Sequence, residues 1–322
     1  MEKIILKITR FISKKWFWLL YTFKPIWIPA FPNYICIDAC THCNLHCPAC
    51  PNGKGVKDFS RGFLKFEDFK KFIDRYKYFI EKMRLSNLGE LFINPEIFKI
   101  IKYAEDAGIQ TYADSNLNYF NDSMAEELVK SNMSELCVAV DGASAETYVQ
   151  YRHGGDFNKV INNIKSINKY KEKYSTSKPY LIWQFVIFDH NQHEIEQAQQ
   201  KAEELNMKFR LRENWEKNFS APDQNNPETN RSIQGFCDSI ETLCHSIWYL
   251  PVINYSGNMS GCCVIYSDKY SLGNVFDKGF FKIYNGKKMR TLRKVVLKKI
   301  TPPNYIYCSR CNYYDLFFKD NQ

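Results

Sequence analysis

Between residues 32 and 213 strand-like and helix-like stretches alternate, and this alternation limits the possible folds more than any other feature of the 322-residue chain. Strands are expected at 34–39, 83–88, 109–115, 135–141, 180–188 and 208–211. Helical periodicity covers 66–80, 95–107, 123–130, 145–151, 157–174 and 192–205, with Asn94 placed as a cap before the second of these. Six strands separated by helices argue for an α/β architecture with a parallel, barrel-like sheet. In parallel barrels the chemistry sits at the C-terminal ends of the strands.

The loop after the first strand reads Cys43-Asn44-Leu45-His46-Cys47-Pro48-Ala49-Cys50, a C-x3-C-x2-C spacing. Thiolates ligate iron–sulfur clusters, and a full set for a cubane is four. Three leave one iron open to a small molecule that brings its own nitrogen and oxygen. Cys40, Cys43, Cys47 and Cys50 could instead form a zinc site, and a disulfide framework is a further alternative. Cys36 and Cys40, just upstream, read as packed thiols. His42 and His46 fall between cysteines that already account for the site and read as loop residues.

This spacing resembles the signature of the radical SAM family. The resemblance implies a partial (β/α)6 TIM-like barrel, a [4Fe–4S] cluster on Cys43, Cys47 and Cys50, and S-adenosylmethionine chelated by the open iron. It further implies one-electron cleavage of the sulfonium to a 5′-deoxyadenosyl radical, with a flavodoxin- or ferredoxin-type protein as electron donor. Leu88-Gly89-Glu90-Leu91 resembles the family's Gly-Gly-Glu motif, so Gly89 and Glu90 are expected at the cofactor's amino group; Leu88 replaces the first glycine. Ser115-Asn116 stands where relatives face the ribose, although Ser and Asn equally suit a strand-to-helix turn. Val140-Asp141-Gly142 resembles a Ser-x-Asp-Gly segment with Ala139 in the serine position. Arg152, after Tyr151, is expected near the cofactor carboxylate, which a guanidinium can hold with two hydrogen bonds; the alternative is a surface helix residue. Residues 184–191 correspond to the adenine-contacting strand, and Ala49 replaces a usually bulky residue.

A second set comprises Cys244, Cys262, Cys308 and Cys311, with Gly257 between the first two. The pattern C-x12-G-x4-C followed by C-x2-C resembles the SPASM and twitch extensions of radical SAM enzymes, and Gly273-Asn274-Val275 is typical of them. It implies one auxiliary [4Fe–4S] cluster, the twitch arrangement, because no cysteine follows Cys311. Four cysteines also suit zinc. Gly257 is expected in a hairpin turn that brings Cys244 and Cys262 together. Cys237 and Cys263 lie beside the set as spare thiols or hydrogen-atom donors, and Cys137 reads as core. The expected division is a basic amphipathic helix (1–31), the barrel (32–213), a polar linker (214–236) and a small cysteine-rich SPASM/twitch domain (237–322).

In the N-terminal segment Lys3, Lys7, Arg10, Lys14, Lys15 and Lys24 oppose a single acid, Glu2. Ile5, Ile8, Ile12, Trp16, Leu19 and Phe23 recur at helical spacing. The unbroken apolar run, Trp16 to Tyr21, is far too short to span a bilayer. A basic amphipathic helix with Trp and Phe suits a membrane interface; it equally suits packing across the bottom of the barrel. No small-residue cleavage site follows the run, and the twelve cysteines, most of them gathered towards the two ends, fit metal sites better than a secreted disulfide scaffold. A cytoplasmic location is expected, with peripheral membrane contact through this helix. The net charge of +9 brings no nucleic-acid-binding signature with it.

The resemblance implies an enzyme that abstracts a substrate hydrogen. A fully ligated auxiliary cluster can accept an electron, which favours oxidation of a sugar or aminocyclitol alcohol. A peptide-modifying maturase or epimerase is the alternative, and a non-catalytic zinc-binding protein a third reading.

Overall fold

The computed structural model describes residues 2–214, 244–265, 267–311 and 314. The expected linker from 215 onward and Cys237 lie outside them. The chain begins with α1 (Glu2–Thr22) and then runs β1 (Tyr34–Ile37), α2 (Phe66–Tyr76), β2 (Lys82–Arg84), α3 (Ile97–Asp106), β3 (Gln110–Ser115) and α4 (Asp122–Lys130). It continues with β4 (Glu135–Ala139), α5 (Ala145–Tyr151), α6 (Phe157–Lys173), β5 (Tyr180–Ile187), α7 (Ile195–Glu204) and β6 (Lys208–Glu213). These strands pair in sequence order, and every pair is parallel. The result is the expected partial α/β barrel.

Side-chain alternation divides each strand between two environments. On β5, Leu181, Trp183, Phe185 and Ile187 enter the main core beneath the helices, whereas Val186 joins a small cluster around Cys47. The inward face is polar. Gln184 lies beside Arg210 in register, and Asp114 lies beside Cys137. Arg210 reaches across β5 to Glu135 at 3.6 Å, and Arg84 pairs with Asp114.

Strand and helix ends are set by local hydrogen bonds. The second strand was expected to run to 88 but ends at Arg84, because the N–H groups of Asn87 and Leu88 leave the ladder for the Asp38 carboxylate, both at 3.1 Å. Asn121, Ser144 and Asp156 cap α4, α5 and α6 through side-chain oxygens. The helix expected from 192 opens with a tight turn over Gln192–Glu194, where the Glu194 carboxylate takes the Ala143 N–H at 2.6 Å and the Ser144 hydroxyl at 2.6 Å.

The C-terminal part extends the same sheet. A helical segment at 244–249 (α8) precedes β7 (Val252–Ile253), which pairs in parallel with β1 and antiparallel with β8 (Asn258–Met259). The ribbon β9 (Gly273–Asn274) pairs with β8 and leads into α9 (Val275–Lys278), α10 (Phe280–Tyr284) and α11 (Lys287–Val296). The expected hairpin turn is present. Gly257 sits in it at φ +90°, and a Cβ there would lie 2.4 Å from the Phe276 ring. The stretch after α1 is clamped by this region: Asn285 exchanges two hydrogen bonds with the Ile28 backbone, and Trp248 Nε1 donates to the Pro25 carbonyl.

Candidate active site

The loop after β1 is folded back on itself before it reaches the three cysteines. Cys40 bridges Phe63, and Thr41 and Gly62 exchange hydrogen bonds. The Cys40 thiol turns to the His42 carbonyl at 3.4 Å, so its hydrogen bond is made within the loop. Beyond that anchor Cys43, Cys47 and Cys50 gather against Leu45, Ala49, Tyr151, Val186 and Phe188. Burial, then the nearby Glu90 and the other two thiols, push Cys43 up to about 12, and burial likewise raises Cys47. A metal that binds here must displace those protons. His42 stacks on Phe63 with ring centroids 4.9 Å apart, a loop-packing role.

Gly89 is required by close approach. A Cβ would fall 2.2 Å from the Cys40 carbonyl oxygen and 2.6 Å from that of His42. The backbone that follows places Glu90 beneath the cysteine loop, where it is almost wholly buried. Its carboxylate accepts from Asn116 N–H at 2.7 Å, Ser115 Oγ at 2.8 Å and Phe92 N–H at 3.2 Å. All three donors are neutral, and burial raises its pKa to about 7 in spite of them and of Arg152 farther off. A protonated amine is the counter-charge this position lacks.

Ser115 and Asn116 therefore meet Glu90 first. Asn116 also reaches Asn44 Oδ1 at 3.1 Å and the Cys43 sulfur at 3.6 Å. Asp141 and Arg152, at the ends of β4 and α5, form one unit. Arg152 Nε and Nη2 both lie 2.6 Å from Asp141 Oδ2, while Nη1 approaches the Cys47 sulfur at 3.8 Å. The other Asp141 oxygen accepts the Val186 N–H at 2.8 Å. Arg152 thus spends most of its donors on Asp141 and the cysteine loop. In the expected adenine strand, Asn191 holds backbone groups of Asp141, Val186 and Phe188. The sequence reading passed over Asn118, which joins Tyr148 OH to the Asp156 N–H; the Asn-Leu-Asn repeat at 116–118 was its only signal.

The second cysteine set lines a cavity whose empty space, part of it open to solvent, is about 400 Å³. Cys244, Cys262, Cys308 and Cys311 all line it, among Ile247, Leu292 and Val296. Burial pushes Cys308 up to about 12, and its thiol neighbours add to the shift. Cys262 donates towards Cys263, which lowers Cys263. Arg84 on β2 acts on Cys263 in the same direction. Cys237 lies outside the described residues.

Between the two sulfur sites lies a second cavity, whose empty space, part of it open to solvent, is about 420 Å³. Asp38, Thr41, Asn87 and Leu88 line it from the barrel, and Asn254, Asn258, Ser260 and Asp268 from the C-terminal sheet. No sequence spacing predicts this seam, because its two halves lie some two hundred positions apart. Asp268 ties the halves together by accepting the Ser60 N–H at 2.7 Å.

A cysteine loop at the mouth of a partial barrel and a cysteine-lined cavity beside it give the chain two separate sulfur sites. Residues 39–182 match the radical SAM superfamily, and residues 244–312 match the SPASM iron–sulfur cluster-binding domain. The chain belongs to the radical SAM superfamily and carries a SPASM-type domain. It resembles the AdoMet-dependent heme synthase of Methanosarcina barkeri (strain Fusaro / DSM 804), 28% identical over 139 residues; the match spans 43% of this chain and 40% of that protein. SuiB of Streptococcus suis, solved with bound S-adenosylmethionine, superposes with a TM-score of 0.64 at 13% identity, over 88% of this chain and 71% of SuiB. BtrN, solved with AdoMet and 2-DOIA, gives a TM-score of 0.51 at 12% identity, over 84% of this chain and 88% of BtrN.

The cofactors of this class are S-adenosylmethionine and [4Fe–4S] clusters, one in the radical SAM domain and auxiliary clusters in SPASM domains. The residues present fit them. Three thiols at the loop leave a coordination position for the nucleotide, buried Glu90 awaits a cation, and four thiols line the second cavity. Among the described residues no three His, Cys, Asp or Glu side chains converge tightly enough for a single metal ion. As a member of an enzyme superfamily the chain is an enzyme, which sets aside the zinc-only reading.

Proposed function

We propose that this enzyme oxidises a hydroxyl-bearing small molecule, of the sugar or aminocyclitol kind, by hydrogen abstraction from carbon. The observation that carries this reading is the cavity between the two sulfur sites, whose wall mixes amides, hydroxyls and two carboxylates with Phe59, Val252, Met259 and Ile265. Amides, hydroxyls and two carboxylates on its wall suit a polyol or aminocyclitol better than an apolar ligand. When bound, S-adenosylmethionine with its cluster supplies a carbon-centred radical, and an auxiliary cluster supplies an electron acceptor.

The chain's own residues do the rest. Gly89 lets the cysteine loop and Glu90 approach, and Glu90 would hold the nucleotide's ammonium. Asp141 fixes Arg152 so that one guanidinium nitrogen faces the Cys47 sulfur. Leu45, Tyr151, Val186 and Phe188 keep water from the loop. Asp38 faces the cavity, and burial raises it to about 7. Its two oxygens accept the Asn87 and Leu88 N–H groups, and the Cys40 N–H is a third backbone donor, which leaves one lone pair to accept the proton that an alcohol loses as its carbon is oxidised. An external flavodoxin- or ferredoxin-type protein is proposed as the electron source.

A peptide substrate is the second reading, supported by the likeness to SuiB, which has been solved bound to the precursor peptide SuiA. Anaerobic turnover with dithionite, S-adenosylmethionine and carbon-deuterated candidates separates the two. Deuterium appearing in 5′-deoxyadenosine from an aminocyclitol or sugar, with release of a ketone, is expected. Transfer only from peptides would replace the proposal with the second reading.

A further inference from the structure

We propose that α1 is an interfacial helix that seats the enzyme on an anionic lipid surface. The helix is amphipathic, but its apolar face points away from the protein. Ile4, Ile8, Phe11, Ile12, Trp16 and Leu19 are exposed, Ile4 at 64% and Phe11 and Ile12 at 61% each. Phe23 at 76% and Trp27 at 56% continue the stripe beyond the helix end. Scattered exposed apolar side chains are ordinary; a continuous row along one helix marks an interaction surface.

The opposite face is already committed. Leu6 and Phe17 are buried against the barrel. Arg10 donates to the carbonyls of Lys77, Ala107 and Gly108, at the ends of α2 and α3, and Lys14 pairs with Glu81 at 2.8 Å. Any rotation that buried the isoleucines would break these contacts, so among the described residues the helix cannot satisfy both faces by itself.

Charge identifies the occupant. The exposed lysines Lys7 and Lys15 flank and punctuate the stripe, and Lys15 lies 5.7 Å from the Phe11 ring centroid, its stem along apolar surface. The only acid in the helix is Glu2. A second copy of the same face would set lysines against lysines; anionic headgroups would neutralise them while the acyl boundary takes Ile, Phe and Trp. No helix among the described residues is long and apolar enough to cross a membrane, so α1 lies along the surface rather than through it.

Vesicle flotation of the full-length, anaerobically prepared protein tests this. Flotation with phosphatidylcholine/phosphatidylglycerol vesicles and weaker flotation with phosphatidylcholine alone are expected. The double variant I8E/I12E should lose at least about tenfold in the floated fraction, because two apolar anchors are removed. K7E/K15E should lose only the preference for anionic vesicles. Both pairs are solvent-facing, so unchanged circular dichroism and melting show that the variants fold. Absence of wild-type flotation, or equal flotation of I8E/I12E, would overturn the proposal. So would a concentration-dependent dimer, abolished by I8E/I12E, in protein that ignores vesicles. None of these readouts depends on turnover, so they stand apart from the substrate assignment.

Discussion

The two sulfur sites hold their cysteines in opposite ways. Cys43, Cys47 and Cys50 ride on a loop, eight positions from first to last, that packs on Leu45, Tyr151, Val186 and Phe188 yet also has polar groups in reach: Asn116 at Cys43, Arg152 at Cys47, and Glu90 beneath. Cys244, Cys262 and the Cys308–Cys311 turn come from three separate stretches and line a cavity walled by Ile247, Leu292 and Val296. The first site offers three thiols and keeps charged and amide groups within reach of whatever completes it. The second brings four thiols together among aliphatic side chains and two tyrosines, a setting in which we propose electron transfer rather than exchange of a ligand. One site is built for exchange with a small molecule, the other for permanence.

The contrast is broken most sharply by removing one sulfur from each. Cys47→Ala should abolish reductive cleavage of S-adenosylmethionine, with 5′-deoxyadenosine formation down about a thousandfold or more, because a cluster held by two thiolates from one loop is not retained. Cys262→Ala should spare that cleavage and remove product. Iron analysis reads the same division: about eight irons per chain in the wild type and about four in each variant. If Cys262→Ala abolished cleavage as well, the sites would not be independent, and the assignment of separate roles would fail.

Glu90→Gln sharpens the comparison on the exchange side. It keeps the shape, but its one carbonyl oxygen can accept either from Asn116 N–H or from Ser115 and Phe92, and the charge for an ammonium is gone. S-adenosylmethionine binding, measured by equilibrium dialysis, should weaken by about 10- to 100-fold, the range for losing a hydrogen bond to a charged group. The iron content should not change. An unchanged affinity would place the amino group elsewhere.

Much of this was legible in the sequence, for physical reasons. Parallel strands carry apolar runs and helices carry a 3.6-residue period, so the six βα units could be placed, and the errors fell at ends such as residues 85–88, where the Asp38 carboxylate draws the backbone out of the ladder. The cysteine loop is local, and spacing alone exposes it. Gly89 was read as allowing a close approach, and the close approach it allows is to the carbonyls of Cys40 and His42. The Arg152–Asp141 pair was not legible, since both residues were matched separately to the cofactor and only the fold brings them to 2.6 Å. The seam cavity was likewise hidden, because Asn254 and Asp268 gain their meaning only when β7 pairs with β1.

The smallest expected effect concerns Asp38, on the wall between the two sites. Burial raises its pKa to about 7, above the ordinary carboxylate value, so between those values the folded protein holds a proton that the unfolded chain has released. Its contribution to stability is therefore present at low pH and is lost as pH rises towards about 7. Asp114 has the opposite sign: burial works against its charge, but Arg84 beside it holds the carboxyl below its ordinary value, so its contribution is lost on acidification. Asp38→Asn isolates the first group. The melting temperature of wild type relative to the variant should fall between about pH 4.5 and pH 7.5 and level off above. Product formation should move the other way, rising in the wild type as Asp38 ionises and becoming low and flat in the variant. A variant whose turnover keeps the wild-type pH profile would leave Asp38 as a clasp for Asn87 and Leu88, with the proton acceptor to be sought at Asp268 across the cavity.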